Sequence, residues 1–137
     1  MSLDRYAFVS SLPNRADWQS AVDQVGIDLK LDPELDLAQD SGFSPCALRG
    51  KPSGFEISIE AASETLETYP FLQSAVGSRS HVICFKWGGD LAECACVLGA
   101  SLALVRAFGA IAYYPADDII DDEATLERDL RQCLAEI

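Results

Sequence analysis

The sequence predicts a single α+β domain, with a mainly antiparallel or mixed sheet of five to six strands and about three helices on one face. Three observations support this prediction. The chain of 137 residues is long enough to bury one core. Apolar residues alternate in some segments and recur every three to four positions in others. Glycines and prolines separate these segments into the order β-α-β, β-β, short helix, β-α-β, α. We therefore treat residues 1–137 as one α+β domain.

The clearest pattern lies in the second half of the chain and predicts a strand, a helix and a strand. Residues 81–87 are rich in β-branched and aromatic side chains, and two glycines follow them. Asp90 is placed to cap a helix, with Glu93 at capping-box spacing, and Gly109 is placed to end it. The helix between them is apolar on nearly all sides, which is typical of a buried helix. Residues 110–114 then resume a strand.

The first thirty residues predict a shorter unit of the same kind. Residues 6–10 form its opening strand, and Asn14 is placed to cap a helix that Gly26 ends. Residues 27–31 alternate apolar and charged side chains, as a half-exposed strand does. The pattern therefore indicates a β-α-β unit at the start of the chain.

A looser region connects these two units. The prolines and glycines of residues 32–53 predict loops around at most a short strand near residues 46–48. Residues 55–60 alternate cleanly, which directs Glu56 and Glu60 away from the core. Two short helical turns follow before residue 81, and a final amphipathic helix follows an acidic stretch after residue 116.

The charge of the chain is strongly negative and unevenly distributed. The net charge is −12, with eight acidic and three basic residues in residues 1–40. Residues 41–116 contain six acidic and five basic residues, and residues 117–137 contain eight and two. Such a field disfavours nucleic acid and anionic membranes as partners and favours a basic protein. Acidity that only keeps the domain soluble is the alternative.

The sequence favours a cytoplasmic protein. Its first residues lack a basic region followed by a long apolar run, so no secretory signal is predicted. The apolar helix of residues 90–108 is long enough for a bilayer, but the charged residues in it suit a protein core better. The five cysteines show no metal-ligand spacing, and we expect reduced thiols.

Candidate catalytic and metal-binding residues are few. His81 is the only histidine, and Cys84, three positions further along the same predicted strand, faces the opposite way. Four aspartates could offer oxygen ligands to a divalent cation: Asp117, Asp118, Asp121 and Asp122. Their spacing is not that of an EF-hand, and a cation there stays an open alternative. We therefore expect no enzymatic activity, no cofactor and no dedicated metal site.

Glycines and aromatics in two stretches carry a family resemblance. They lie in residues 41–45, Leu48, Gly50, residues 53–56 and residues 85–89, the last leading into an alanine-rich helix. Over residues 40–115 the chain resembles small immunity proteins encoded beside polymorphic and type VI secretion toxins in Gram-negative bacteria. The resemblance implies a non-enzymatic protein that holds a cognate toxin inactive by occupying or deforming its active site.

We predict that carboxylates and aromatic side chains form the surface that binds this toxin. Carboxylates would mimic the phosphates of a substrate in a basic groove, and an aromatic residue would act as an anchor. The predicted partner-binding residues are Asp117, Asp118, Asp121, Asp122, Glu123, Glu56, Glu60, Trp87, Tyr113 and Tyr114.

Two other functions stay open on the sequence alone. One is a homo-oligomeric regulatory module that binds a small molecule, for which an apolar pocket near Trp87 and Tyr114 would be the sign. The other is a small hydrolase that uses an Asp or Glu with His81. A homodimer is compatible with any of the three functions.

Overall fold

The computed structural model describes residues 3–137. Its strands are β1 (Leu3–Val9), β2 (Leu29–Lys30), β3 (Gly42–Leu48), β4 (Lys51–Ala61), β5 (His81–Trp87), β6 (Ile111–Tyr114) and β7 (Ile119–Asp121). Its α-helices are α1 (Arg15–Val25), α2 (Ala62–Thr68), α3 (Gln73–Val76), α4 (Leu91–Phe108) and α5 (Glu123–Glu136), and a 3-10 turn spans Pro70–Leu72.

All seven strands belong to one sheet, in the order β2-β3-β4-β5-β1-β6-β7. Every neighbouring pair in this order is antiparallel. The predicted α+β class is confirmed, with seven strands where five to six were expected. β1 and β2, which were expected to belong to one local unit, are separated in the sheet by β3, β4 and β5.

The three long helices pack on one side of the sheet, which we call the covered face. α4 lies between α1 and α5, and residues 95–104 in its middle are all buried. Phe85 of β5 contacts Trp18 of α1 and Phe55 of β4 edge-on, at ring-centroid distances of 6.1 and 5.1 Å. The largest part of the hydrophobic core therefore lies between these helices and the sheet.

The ends of α4 lie where the sequence predicts them. The Asp90 carboxylate accepts hydrogen bonds from the N–H groups of Ala92 and Glu93, and Gly109 adopts a left-handed φ of 64°. The Glu93 side chain accepts from the N–H of Gly88 at 3.2 Å and extends the cap by one further donor. Within residues 3–137, α4 is the one helix whose length and composition would allow it to cross a membrane.

The three long helices share one face, as predicted, and the short helices lie on the opposite side of the sheet. Ala62, Leu72 and Val76 pack there against Phe8 and Val82 in a second, smaller core. The physical reason is that β1 and β5 are apolar on both sides near these residues. Both sides of the sheet need cover at that end.

β3 is longer than the sequence predicts, although it contains Pro45. β2 pairs with β3 only at Ala47 and Leu48, so β3 is an edge strand at Pro45. A proline at an edge removes no hydrogen bond from the sheet, because its nitrogen faces away from the neighbouring strand. The strand therefore extends from Gly42 through Pro45.

β7 was not predicted, because its residues lie in the acidic stretch that was expected to lead directly into the final helix. Ile119 and Ile120 pair with Tyr114 and Tyr113 of β6. Two adjacent isoleucines between aspartates do not show the alternation by which a strand is recognised in sequence.

Candidate functional site

The side of the sheet opposite α1, α4 and α5 is only partly covered, and we call it the open face. It carries Phe43, Glu56, Ser58, Glu60, Val82, Cys84, Lys86, Asp4, Tyr6, Phe8, Ile111, Tyr113 and Ile120. Six strands at a spacing of about 4.8 Å make this face roughly 24 Å wide. The short helices bury part of this width, including Phe8, Val82 and Tyr113, so its exposed parts lie toward β3 and β4 and at the turn before β7.

A row of four side chains, three of them exposed and Asp4 half-buried, crosses four strands of the open face. Phe43 is opposite Glu56, Glu56 is opposite Lys86, and Lys86 is opposite Asp4. Phe43 is 62% exposed, and its ring lies over Gly54. Among residues 3–137, no carboxylate lies within 4.0 Å of the Lys86 ammonium. The row therefore combines an exposed aromatic ring with a net negative charge.

A cavity of about 320 Å³ opens on the same face. The carboxylates of Asp4, Glu56 and Glu60 line it, together with the single ammonium of Lys86. Glu60 also accepts a hydrogen bond from the hydroxyl of Thr65 at 3.1 Å. With three carboxylates and one cation around it, the cavity favours a positively charged group over a negatively charged one.

Cys84 lines this cavity, but its thiol is not activated. Burial, and then the negative charge of Glu60, raise the pKa of Cys84 to about 12. A thiol with so high a pKa stays protonated at neutral pH, and the protonated form is a poor nucleophile. The chemistry of this face therefore favours binding over covalent catalysis.

An aromatic cluster lies where the open face meets the turn at Pro70–Leu72. The Tyr69 ring lies 5.2 Å from Tyr113 and 5.8 Å from Tyr6, and the Phe71 ring lies 5.9 Å from Tyr113. Tyr113 is 2% exposed, whereas Phe71 is 60% exposed. Phe71 thus rests on packed rings while most of its own surface faces solvent.

An acidic turn borders this cluster between β6 and β7. The N–H of Asp118 donates to the carbonyl of Pro115 at 3.2 Å, and Asp118 has a left-handed φ of 52°. Its carboxylate accepts a hydrogen bond from the Tyr113 hydroxyl at 2.6 Å. Burial, and then Asp118, raise the pKa of Tyr113, so this hydroxyl keeps its proton. Asp118 is therefore held in place, while Asp117 beside it is exposed.

Four of the predicted partner-binding residues are exposed at or beside the open face: Glu56, Glu60, Asp117 and Asp118. They form two groups, one on β4 and one at the turn before β7. β4 and β7 are four strand spacings apart, which is roughly 19 Å. The prediction of a single patch therefore becomes two acidic sites, one toward each side of the same face.

Three predicted residues are buried: Asp121 (5% exposed), Trp87 (5%) and Tyr113 (2%). Asp121 forms an ion pair with Arg5, whose guanidinium carbon lies 4.3 Å from the centre of the Tyr114 ring. Tyr114 is half-buried on the covered face. Side chains buried in this way offer almost no area to a partner, so the three buried residues leave the candidate surface.

Tyr114 also stacks on Trp87, with ring centroids 6.5 Å apart. A regulatory module that binds a small molecule would need a pocket near these two residues. The two stacked rings pack against each other at that position. Their contact instead joins β6 to β5 across the covered face.

The remaining two predicted acids stabilise the start of α5. The Asp122 carboxylate accepts a hydrogen bond from the Thr125 N–H at 2.8 Å, and this bond lowers the pKa of Asp122. Glu123 accepts from Arg106 at 2.6 Å. Both side chains are exposed, and each carboxylate also has a partner within the chain.

His81 lies at the start of β5, next to Ser80. The Ser80 Oγ lies 2.9 Å from His81 Nδ1 and donates its hydrogen bond to the carbonyl of Ser10 at 3.0 Å. The single hydroxyl proton is thus directed away from the imidazole, which would have to accept it to activate the serine. Cys84 lies on the other side of β5, as the alternation predicted.

Metal ligands do not converge in the described part of the chain. Within residues 3–137, no three His, Cys, Asp or Glu side chains are grouped so that they could hold a metal ion. The four aspartates of residues 117–122 are divided between an exposed turn, a buried ion pair and a helix cap.

Phe43 and Phe71 belong to the candidate surface and were not predicted. The position of Phe43 could have been predicted. With a two-residue turn at residues 49–50, the hairpin register pairs Phe43 with Glu56. The position of Phe71 cannot be derived from a strand register, because its exposure depends on how the 3-10 turn packs on Tyr113.

Comparisons with protein-family models, curated proteins and solved structures find no match to this chain.

Proposed function

We propose that this protein is a non-enzymatic immunity protein that binds and neutralises a basic toxin acting in the cytoplasm. The observation that carries the proposal is the exposed ring of Phe71 beside the acidic turn with Asp117 and Asp118. An exposed aromatic anchor on a packed base, with charged residues at its border, is a typical centre of a protein-protein interface.

The distribution of charge supports a basic partner. The chain has a net charge of −12, and Glu56 and Asp117 place exposed carboxylates toward opposite sides of the open face. A basic groove laid across this face would contact carboxylates at both of its sides. Complementary charge of this kind increases the rate of association and selects against acidic partners.

The geometry also supports neutralisation by covering a groove. The acidic sites on β4 and at the turn before β7 are roughly 19 Å apart, so a protein that contacts both would have the groove between those contacts covered. In this proposal the carboxylates occupy the positions that substrate phosphates take in the toxin. The protein itself would need no reactive group.

The proposal is tested with the partner that co-purifies from the source cell. That partner is expressed alone and together with this protein, and growth is compared. Phe71→Ala should weaken binding of the partner about 30-fold, the loss of about 2 kcal/mol that is typical of an interface hot spot. Leu91→Ala is the matched control, because Leu91 is also an exposed large apolar residue but begins α4.

The outcomes separate clearly. Rescue of growth by the wild type and by Leu91→Ala, with loss of rescue for Phe71→Ala, supports the proposal. A partner that is harmless when expressed alone contradicts the immunity function. Equal rescue and equal affinity for both variants contradicts the choice of surface.

A further inference from the structure

The two edges of the sheet are completed differently. At the β2 edge, the side-chain amide of Gln19 donates to the carbonyl of Leu29 at 2.9 Å and accepts from the N–H of Leu31 at 2.7 Å. Arg15 donates to the carbonyls of Leu31 and Asp32, at 3.2 Å each. Side chains of α1 therefore take the main-chain positions that a further strand would need at this edge.

The β7 edge has no such cover. β7 pairs with β6 on one side only, and an edge strand directs about half of its N–H and C=O groups away from its neighbour. In the described part of the chain, no side chain forms a hydrogen bond with the main chain of Ile119–Asp121. Ile119 and Ile120 are 44% and 43% exposed. Asp121 is 5% exposed, so the edge is available for pairing at the two isoleucines.

The charges around β7 indicate which strand it would accept. Asp117 and Asp118 precede β7, and Asp122 follows it, all three exposed. In an antiparallel pair of two β7 strands, Asp118 of one copy would lie near Asp122 of the other, and like charges across strands are destabilising. A second copy of this chain is therefore disfavoured. A strand with Lys or Arg on both sides of a short apolar stretch is complementary.

We propose that β7 is a docking edge to which the basic partner adds a strand. The partner strand would pair its main chain with β7, place apolar side chains beside Ile119 and Ile120, and place cations beside Asp117, Asp118 and Asp122. This inference rests on the proposed function and specifies how the partner is bound. Main-chain pairing gives the affinity in such complexes, and side-chain complementarity gives the choice of partner.

The test uses the peptide acetyl-Lys-Lys-Val-Thr-Val-Lys-Lys-amide as a probe, with the intact protein and amide hydrogen exchange followed by NMR. Whichever amide of Ile119 and Ile120 faces away from β6 should become at least about tenfold more protected when the peptide binds, because a new hydrogen bond slows its exchange. A peptide N-methylated at its central Thr and the following Val lacks one donor on each of its edges. It should bind about tenfold more weakly.

Three outcomes overturn the inference: no binding of the probe at millimolar concentration, equal binding of the N-methylated peptide, or protection that omits both Ile119 and Ile120. The same exchange experiment on the complex with the purified toxin separates this inference from the proposed function. Neutralisation without protection of either Ile119 or Ile120 would leave the function standing and remove the added strand. An absence of neutralisation would remove the function itself.

Discussion

The two faces of the sheet are built from the same strands and use the same residue types in opposite ways. On the covered face, Asp121 is buried and paired with Arg5. Four residues earlier, beside the open face, Asp117 is exposed. Aromatic rings differ in the same way: Phe85 is fully buried under α1, whereas Phe71 stands mostly in solvent on Tyr113.

This difference shows that side-chain type alone does not identify an interaction surface. An acid contributes to stability when it neutralises a buried cation, and it contributes to recognition when its charge faces solvent. The covered face therefore explains why the domain folds. The open face, with its incomplete cover, leaves charged and aromatic side chains exposed for the proposed partner.

The largest expected effect comes from breaking the buried ion pair. Arg5 is only 6% exposed, and Asp121→Asn leaves its charge without a counter-ion. We therefore expect a loss of about 3–5 kcal/mol in the free energy of unfolding. Asp117→Asn, at the exposed position, should change stability by less than about 0.5 kcal/mol. Chemical denaturation of both variants measures the contrast. Similar losses for the two variants would contradict the structural role of Asp121.

A smaller loss of stability is expected at Gly54, where β3 and β4 are closely packed. Gly54 has a φ of 150°, and a Cβ there would lie 2.5 Å from the Ser44 carbonyl oxygen and 2.7 Å from the Phe43 ring. Gly54→Ala should therefore cost about 1–3 kcal/mol of stability.

Gly88→Ala is the control for this variant, because a Cβ at Gly88 would meet only the Glu93 side chain, at 3.6 Å. It should change stability by less than about 0.5 kcal/mol. The denaturation midpoints of both variants test the difference. A Gly54→Ala protein as stable as the wild type would show that β3 and β4 are less closely packed than described.

A third effect is a decline of stability at alkaline pH to which both faces contribute. Burial raises the pKa of Cys84, on the open face, and of Cys94, on the covered face, to about 12. A thiol in the unfolded chain has a pKa of about 8.5. Above that pH the unfolded chain releases these protons first, so stability should fall as the pH rises from about 9 toward 12. The raised pKa values of Tyr6 and Tyr113 act in the same direction.

Denaturant midpoints at pH 8 and pH 10 measure this decline, and Cys84→Ser should make it smaller, since one of the contributing thiols is removed. A midpoint that rises between these two pH values would contradict the assignment of buried, protonated thiols.

Much of the covered face could be predicted from the sequence because its signals are local. Asp90 and Gly109 lie within one turn of the ends that they define, and the apolar pattern between them is continuous. The alternation of residues 55–60 likewise predicted that Glu56 and Glu60 would face away from the core, and both are exposed.

The candidate surface was harder to predict because its signals are not local. Whether Asp121 is exposed depends on Arg5, which lies 116 positions away in the sequence. Tyr113 and Tyr114 are adjacent and similar in type, yet they lie on opposite faces and have different partners. The exposure of Phe71 follows only from the packing of a short turn on the sheet.

The association rates of the basic partner with two charge-reversal variants distinguish binding at the acidic open face from attraction by the overall charge. Glu56→Lys with Asp117→Lys changes the two sides of the open face. Asp28→Lys with Glu136→Lys changes exposed acids that lie outside that face. Each substitution replaces a negative charge with a positive one and so raises the net charge by two. Both double variants therefore have the same net charge, four units above the wild-type −12.

The Glu56/Asp117 double variant should associate at least about tenfold more slowly at low salt than the Asp28/Glu136 variant, and added salt should reduce the difference. Equal rates for the two variants would mean that only the total charge matters. That result would contradict the claim that the open face is the binding surface.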